Sequence, residues 1–321
     1  MTKKELFEHV LAGGETPRVP RAVWQHFPSA DYNAEAFVRA TVEFYARHDL
    51  DLVKIGPRSS FCIRDYGARD EFEGDYLGRP RYLNQVVQSP DDWRKLRPLD
   101  PAQGWLAHTA GCVREICART SADRPRILTI FSPATQAKNL AGAARFTEHW
   151  RTHPAELRAG LETLTESTVA FLRSLRDVPL DGVFFAIQEC GLRDLEPDYL
   201  AMCGDLDRAI LTAGDYWLNV LHLHDKVVGF DGYARYPVSV LHWDEGEAGM
   251  SLAQARQHFS GIVSGGGDWP ADGWSDPAAL KRAARNVVER TGAERLMVSA
   301  GCVIPWQTPA EHVDAFCAFD R

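Results

Sequence analysis

The sequence predicts a single (β/α)8 barrel spanning residues 1–321. Three observations lead there. Eight short apolar runs bounded by turn residues alternate with longer helical patterns, which is the signature of repeated βα units around a parallel sheet. The length of 321 residues suits one α/β barrel without a second domain. The first run leads into Gln25-His26-Phe27-Pro28, not into the Gly-rich phosphate loop that an open doubly wound sheet usually carries there.

The eight runs are Val19 to Trp24, Leu52 to Ile55, Ile127 to Phe131, Gly182 to Ile187, Leu218 to His222, Val238 to Leu241, Gly261 to Ser264 and Leu296 to Ser299. Between them, Ala34 to Arg47, Pro154 to Leu175, Leu252 to His258 and Ala278 to Arg290 carry helical periodicity. The last is introduced by Ser275-Asp276-Pro277, a cap followed by proline in the first turn. Residues from about 67 to 105 are rich in Asp, Arg, Gly and Pro, and are expected to form a loop excursion over the barrel mouth. The N-terminal MTKKELFEHVLAGG predicts a short amphipathic helix closed by a glycine pair.

Composition narrows the partners. A formal charge of −8 from interspersed acids and bases argues against nucleic acid and anionic membrane. No stretch approaches the length of a membrane span, and no apolar leader opens the chain. Seven scattered cysteines without a CxxC fit a reducing compartment, so a cytoplasmic protein is expected. A homodimer is compatible with such a barrel, though no residue locates its interface.

In this fold, polar residues at the C-terminal ends of strands converge on one pocket. The first run ends at Gln25 and His26, and the second leads to Lys54 and Arg58. The third leads to Ser132, Gln136 and Lys138, and the fourth to Gln188 and Glu189. The fifth ends at His222-Leu223-His224, and the sixth at His242-Trp243-Asp244-Glu245. The seventh enters Gly265-Gly266-Gly267-Asp268, and the eighth ends at Gly301-Cys302. In an extended segment residues i and i+2 project to one side, so His222 and His224 can face one ion. Cys302 could add a thiolate, a set that zinc accepts with one position left open. Each of these residues also has an ordinary role: a His-x-His that braces loops, a buried small cysteine, a glycine turn without phosphate. Arg58, Arg64 and Arg69 could grip a carboxylate bidentately or lie on a solvated face.

The segments RVPRAVWQHFP, DLVKIGPRSSF, FSPATQAKNLAG, WLNVLHLHDK, YPVSVLHWDEGEAGMSLAQAR and ERTGAERLMVSAGCVIPWQTPAEHVDAF run through nearly the whole chain. Together they resemble the uroporphyrinogen decarboxylase superfamily, whose barrels also include zinc-dependent methyltransferases acting on corrinoids and thiols. The most specific stretch is the last, where Thr308-Pro309 precedes a helix. The decarboxylase branch carries an arginine-rich clamp for tetrapyrrole propionates after the first strand; here Trp24-Gln25-His26-Phe27-Pro28 stands instead. The methyltransferase branch carries His-x-Cys and a distant Cys as zinc ligands, and the matching residues are His222, His224 and Cys302. Imidazole in place of the middle thiolate removes one negative charge and makes the ion a stronger Lewis acid.

The resemblance therefore implies a zinc enzyme that moves a methyl or alkyl group to or from a metal-activated thiol, with a corrinoid as donor or carried by a partner protein. Lys54, Arg58 and Gln136 are expected to hold an anionic end of a small-molecule substrate, with His26 and Gln188 beside it. Glu189 or Asp244 is expected to move a proton, and His242, Asp244, Glu245 or Glu189 to complete the metal shell. Two other readings stand beside it: a metal-free decarboxylase of a carboxylated small molecule or tetrapyrrole, and a non-catalytic tetrapyrrole- or corrinoid-binding protein.

Overall fold

Val, Ile, Leu and Phe dominate the eight runs, and each becomes a strand buried on both faces, as a parallel sheet under helices requires. The computed structural model describes residues 1–188, 198–224, 226–227, 229–266 and 274–320. In chain order the strands are β1 (Arg21–Ala22), β2 (Val53–Ile55), β3 (Asp70–Glu71), β4 (Arg81–Tyr82), β5 (Arg126–Phe131), β6 (Gly182–Ile187), β7 (Val220–Leu223), β8 (Val240–Asp244), β9 (Ile262–Gly266) and β10 (Leu296–Ser299). Eight of them form one parallel sheet in the order β1-β10-β9-β8-β7-β6-β5-β2. That order, with helices outside, is a (β/α)8 barrel, and all eight predicted runs contribute a strand.

The two ends of the sheet, β1 and β2, meet at a seam that Asp51 closes. Its N–H donates to the Arg21 carbonyl (2.9 Å), while its carboxylate accepts from the Arg21 N–H (2.9 Å) and, in a fork, from both Arg18 Nη atoms (2.5 and 2.6 Å). The N-terminal helix Lys3–Leu11 carries a Thr2/Glu5 capping box and buries Leu6, Phe7 and Val10. It closes the opposite end from the site. Lys3 reaches Asp49 and Asp51, and Lys4 reaches Asp181, residues that precede β2 and β6.

Among the expected helices, Ala34–Arg47 has its predicted bounds and Pro277–Thr291 starts at its predicted proline. Leu252–Ala255 is shorter than its periodicity suggested. The excursion between β2 and β5 carries the antiparallel pair β3/β4, the short helix Pro90–Trp93 and the start of helix Gly104–Arg119. Five of the six described cysteines are buried. No helix among the described residues is long and apolar enough to cross a membrane.

Candidate active site

Strand alternation and parallel register aim a set of side chains into the barrel. Ala186 pairs with His222, His222 with His242, and His242 with Ser264, so these residues share the inner face. Above them, at the C-terminal ends of the strands, lies a cavity of about 620 Å³. Lys54, Thr129, Phe184, His222, Asp244 and Cys302 line it from six different strands or strand ends. Tyr76, Leu77 and Tyr82 of the β3/β4 excursion line it from above.

At the floor a hydrogen-bond chain decides where protons sit. A carbonyl only accepts, so the 2.9 Å bond between His242 Nε2 and Ala300 O puts the proton on Nε2. His242 is held neutral, its pKa lowered to about 3 by burial against the favourable bond to Ala300. Its Nδ1 is therefore an acceptor, and the proton in the 2.7 Å His222 Nδ1 to His242 Nδ1 contact belongs to His222. Burial, then the neighbouring His242, His224 and Lys54, push the His222 pKa well below the usual range as well. A neutral His222 protonated at Nδ1 carries its lone pair on Nε2, and that atom faces Cys302 Sγ at 3.8 Å. Residues 80 apart in sequence thus meet as an unprotonated imidazole nitrogen and a thiol.

Of the expected binding residues, His26, Lys54 and Gln188 line the cavity. His26 is half-buried and neutral, its pKa lowered to about 4 by desolvation and by the charge of Lys54. Lys54 is buried, its Nζ 4.4 Å from the Phe184 ring centre and 5.2 Å from that of Trp24. Burial lowers its pKa to about 8, with Cys302 acting in the opposite direction. Gln188 accepts from Lys138 Nζ (3.3 Å) at the cavity wall.

Arg58 and Gln136 do not reach the cavity. The Arg58 guanidinium is bound to the Asp70 carboxylate and lies 3.4 Å from the centre of the Tyr32 ring, so it anchors β3. Gln136 donates to Phe131 O (2.9 Å) and Thr168 Oγ1 (3.0 Å), which ties a helix to β5. Both side chains turn away because a buried carboxylate or carbonyl lies closer than the cavity.

The expected metal ligands divide. His222 and Cys302 face each other, and His224 lines the cavity with its ring centre 5.9 Å from that of His222. His242 is not available as a ligand, because both ring nitrogens are engaged with His222 and Ala300. Glu245 points outward, accepting from Leu252 N–H (2.7 Å) and pairing with Arg290. Asp244 Oδ1 accepts from the N–H groups of Gly246 and Glu247, which caps a short helix. Its Oδ2 presses on Gly301, where an added Cβ would sit 2.0 Å away; only glycine admits the carboxylate beside Cys302. Glu189 and the Gly267-Asp268 portion of the glycine loop lie outside the described residues. Among the described residues, no three His, Cys, Asp or Glu side chains already converge as a metal-holding group.

Thr129 and Glu247 also line the cavity and were not expected. Thr129 lies mid-strand, where a threonine reads as an ordinary β-former.

The family model for uroporphyrinogen decarboxylase (URO-D) matches residues 2–183, more than half of the chain. The chain belongs to the uroporphyrinogen decarboxylase family. No curated protein sequence matches this URO-D family member. Solved structures share its fold. A methyltransferase from Methanosarcina mazei superposes with TM-score 0.79 at 16% identity, covering 99% of this chain and 98% of that one. A B12-independent methionine synthase from Shewanella sp. W3-18-1, in complex with selenomethionine, gives 0.59 at 10% identity, covering 95% and 94%. A putative vitamin-B12 independent methionine synthase from Listeria monocytogenes gives 0.56 at 12% identity, covering 95% of each chain. At these identities the likeness concerns the fold.

Proposed function

We propose that this URO-D family member is a zinc enzyme that transfers a methyl or alkyl group to or from a thiol. The observation that carries the reading is the His222 Nε2 lone pair facing Cys302 Sγ at 3.8 Å. Ordinary zinc–nitrogen and zinc–sulfur bonds in a tetrahedron separate N and S by about 3.6 Å, so this donor pair fits one edge of such a site. His224, two residues on and in the same cavity wall, is the third ligand, which leaves the fourth position of a tetrahedron open to the substrate thiol, with Asp244 beside Gly301 at its edge. The outer partner of His222 is His242, the kind of hydrogen bond that fixes the tautomer of a ligating imidazole.

When bound, zinc would lower the pKa of a substrate thiol and orient it. The rest falls to the chain. His242 keeps the His222 proton on Nδ1, which leaves Nε2 free. Asp244 Oδ2 is placed to take the proton that the thiol releases. Trp24, Phe131 and Phe184 line the cavity with apolar surface and thin the water around the reacting sulfur. The methyl donor enters from the C-terminal ends of the strands, where the cavity lies; in a relative of the methyltransferase kind it would be a methylated corrinoid on a partner protein.

The test is elemental analysis of the purified protein with Cys302→Ala, His222→Ala and Glu245→Ala variants. Near-stoichiometric zinc in the wild type, lost in the first two variants and kept in the third, is the expected result. A wild-type protein that stays metal-free after expression with added zinc overturns the reading and favours a metal-free decarboxylase.

A further inference from the structure

We infer that Lys54 and Thr129 form a carboxylate-binding subsite in the cavity floor, which takes the single acid end of a short substrate. This rests on the cavity being the active site, but not on zinc. Lys54 is 7% exposed, and among the described residues no carboxylate pairs with it; its ammonium lies over the Phe184 and Trp24 rings, with the Cys302 thiol near enough to act on it. A buried cation without a counter-ion is costly, and the cavity that Lys54 lines gives an anion access to it.

Thr129 supplies the second, independent observation. It is 5% exposed, lines the same cavity, and its Oγ1 is buried with no hydrogen-bond partner. A valine would pack equally well on the strand, so the buried hydroxyl calls for an acceptor that the described residues do not supply. Gly56 joins the two. A Cβ on it would lie 3.5 Å from Lys54 Nζ and 3.8 Å from Thr129 Oγ1, so the polar atoms border one small space kept open by the missing side chain.

The charge balance sets the ligand class. One ammonium and one hydroxyl match one monoanionic carboxylate. Asp244 and Glu247 on other walls of the cavity disfavour a second acid group. Of the other described cations lining the cavity, Lys138 donates to Gln188 and Arg79 pairs with Asp75, so a tetrapyrrole bearing many acid groups meets no matching set of unengaged cations among the described residues. Phe184 touches both centres: its ring lies 4.4 Å from Lys54 Nζ and stacks on His222 at 5.1 Å. The reacting atom of the substrate is therefore only a few bonds from its carboxylate.

The experiment is calorimetric titration of the full-length protein, as purified, with sodium propionate and separately with inorganic phosphate. Propionate is expected to bind in the roughly millimolar range that so small a ligand allows, and more tightly than phosphate. Thr129→Val should weaken it by about tenfold or more, the worth of a hydrogen bond to a charged group, and Thr129→Ser should restore it. Lys54→Met should abolish it, while Cys302→Ser should leave it unchanged. Melting curves of all four variants establish that they fold. Equal propionate affinity in the wild type, Thr129→Val and Lys54→Met overturns the subsite, as does no binding or tighter binding of phosphate. Affinity lost in Cys302→Ser but kept in Lys54→Met would move the acid to the sulfur centre and also overturn it. If the protein proves metal-free yet propionate still depends on Lys54 and Thr129, the zinc reading fails and the subsite stands.

Discussion

Replacing His242 by phenylalanine tests the proton arrangement at the floor of the barrel. Phenylalanine keeps the ring contacts with Trp24 (5.0 Å) and Phe184 (5.6 Å) but removes both hydrogen bonds. His222 Nδ1–H and Ala300 O then lie buried without the partners they have at 2.7 and 2.9 Å. Each such group costs about 1–3 kcal/mol, so a loss of roughly 2–6 kcal/mol is expected, within the stability of an ordinary domain. The tautomer of His222 is also released, and loss of a ligand's outer partner typically weakens metal binding about ten- to a hundredfold. Two measurements check this. Nitrogen-15 NMR of histidine-labelled wild-type protein should show His222 neutral, protonated at Nδ1, well below the usual imidazole range. Zinc competition against a chromophoric chelator should show the affinity loss in His242→Phe and recovery in His242→Gln, whose amide can donate to Ala300 and accept from His222. A wild-type His222 protonated at Nε2, or unchanged zinc affinity in a folded His242→Phe protein, would refute the reasoning.

Two further perturbations probe groups away from the ligands. Asp207 is fully buried and accepts from Tyr236 (2.8 Å); burial raises its pKa from near 3.8 to about 7. The unfolded chain gives up this proton first, so the stability the group contributes is present at low pH and is lost as pH rises through about 7. Asp207→Asn should therefore gain stability over wild type between about pH 4 and 7, reaching several kcal/mol above that window. Urea midpoints at low and high pH measure it, and a difference that does not change with pH would contradict it. Arg58→Met leaves the buried Asp70 with Arg64 alone (2.6 Å), and should destabilise by about 2–4 kcal/mol. Propionate affinity and zinc content should not change; a loss of propionate affinity without a drop in melting temperature would return Arg58 to the substrate site.

Much of the architecture was legible because it depends on local chemistry. Eight apolar runs and their caps report where strands and helices form, since alternation of burial along the chain needs no knowledge of partners. The meeting of His222 with Cys302 followed from the rule that strand ends converge, together with the family resemblance. Side-chain direction did not follow. Arg58, Gln136 and Glu245 stand near the right strand ends, yet Asp70, Phe131 O with Thr168, and Leu252 N–H with Arg290 hold them elsewhere. Their partners come from distant parts of the chain, and a hydrogen bond over 3 Å depends on a rotamer that no spacing encodes.

The sequence by itself determined the barrel and the types of residue gathered at the C-terminal ends of its strands, because periodicity and strand order are properties of the chain. Only the tertiary structure decided that His242 directs the proton of His222, that Asp244 needs Gly301 beside it, and that Lys54 and Thr129 share the space beside Gly56. Those are relations between atoms brought within a few ångströms by closure of the sheet, where burial removes the water that would otherwise satisfy each group separately.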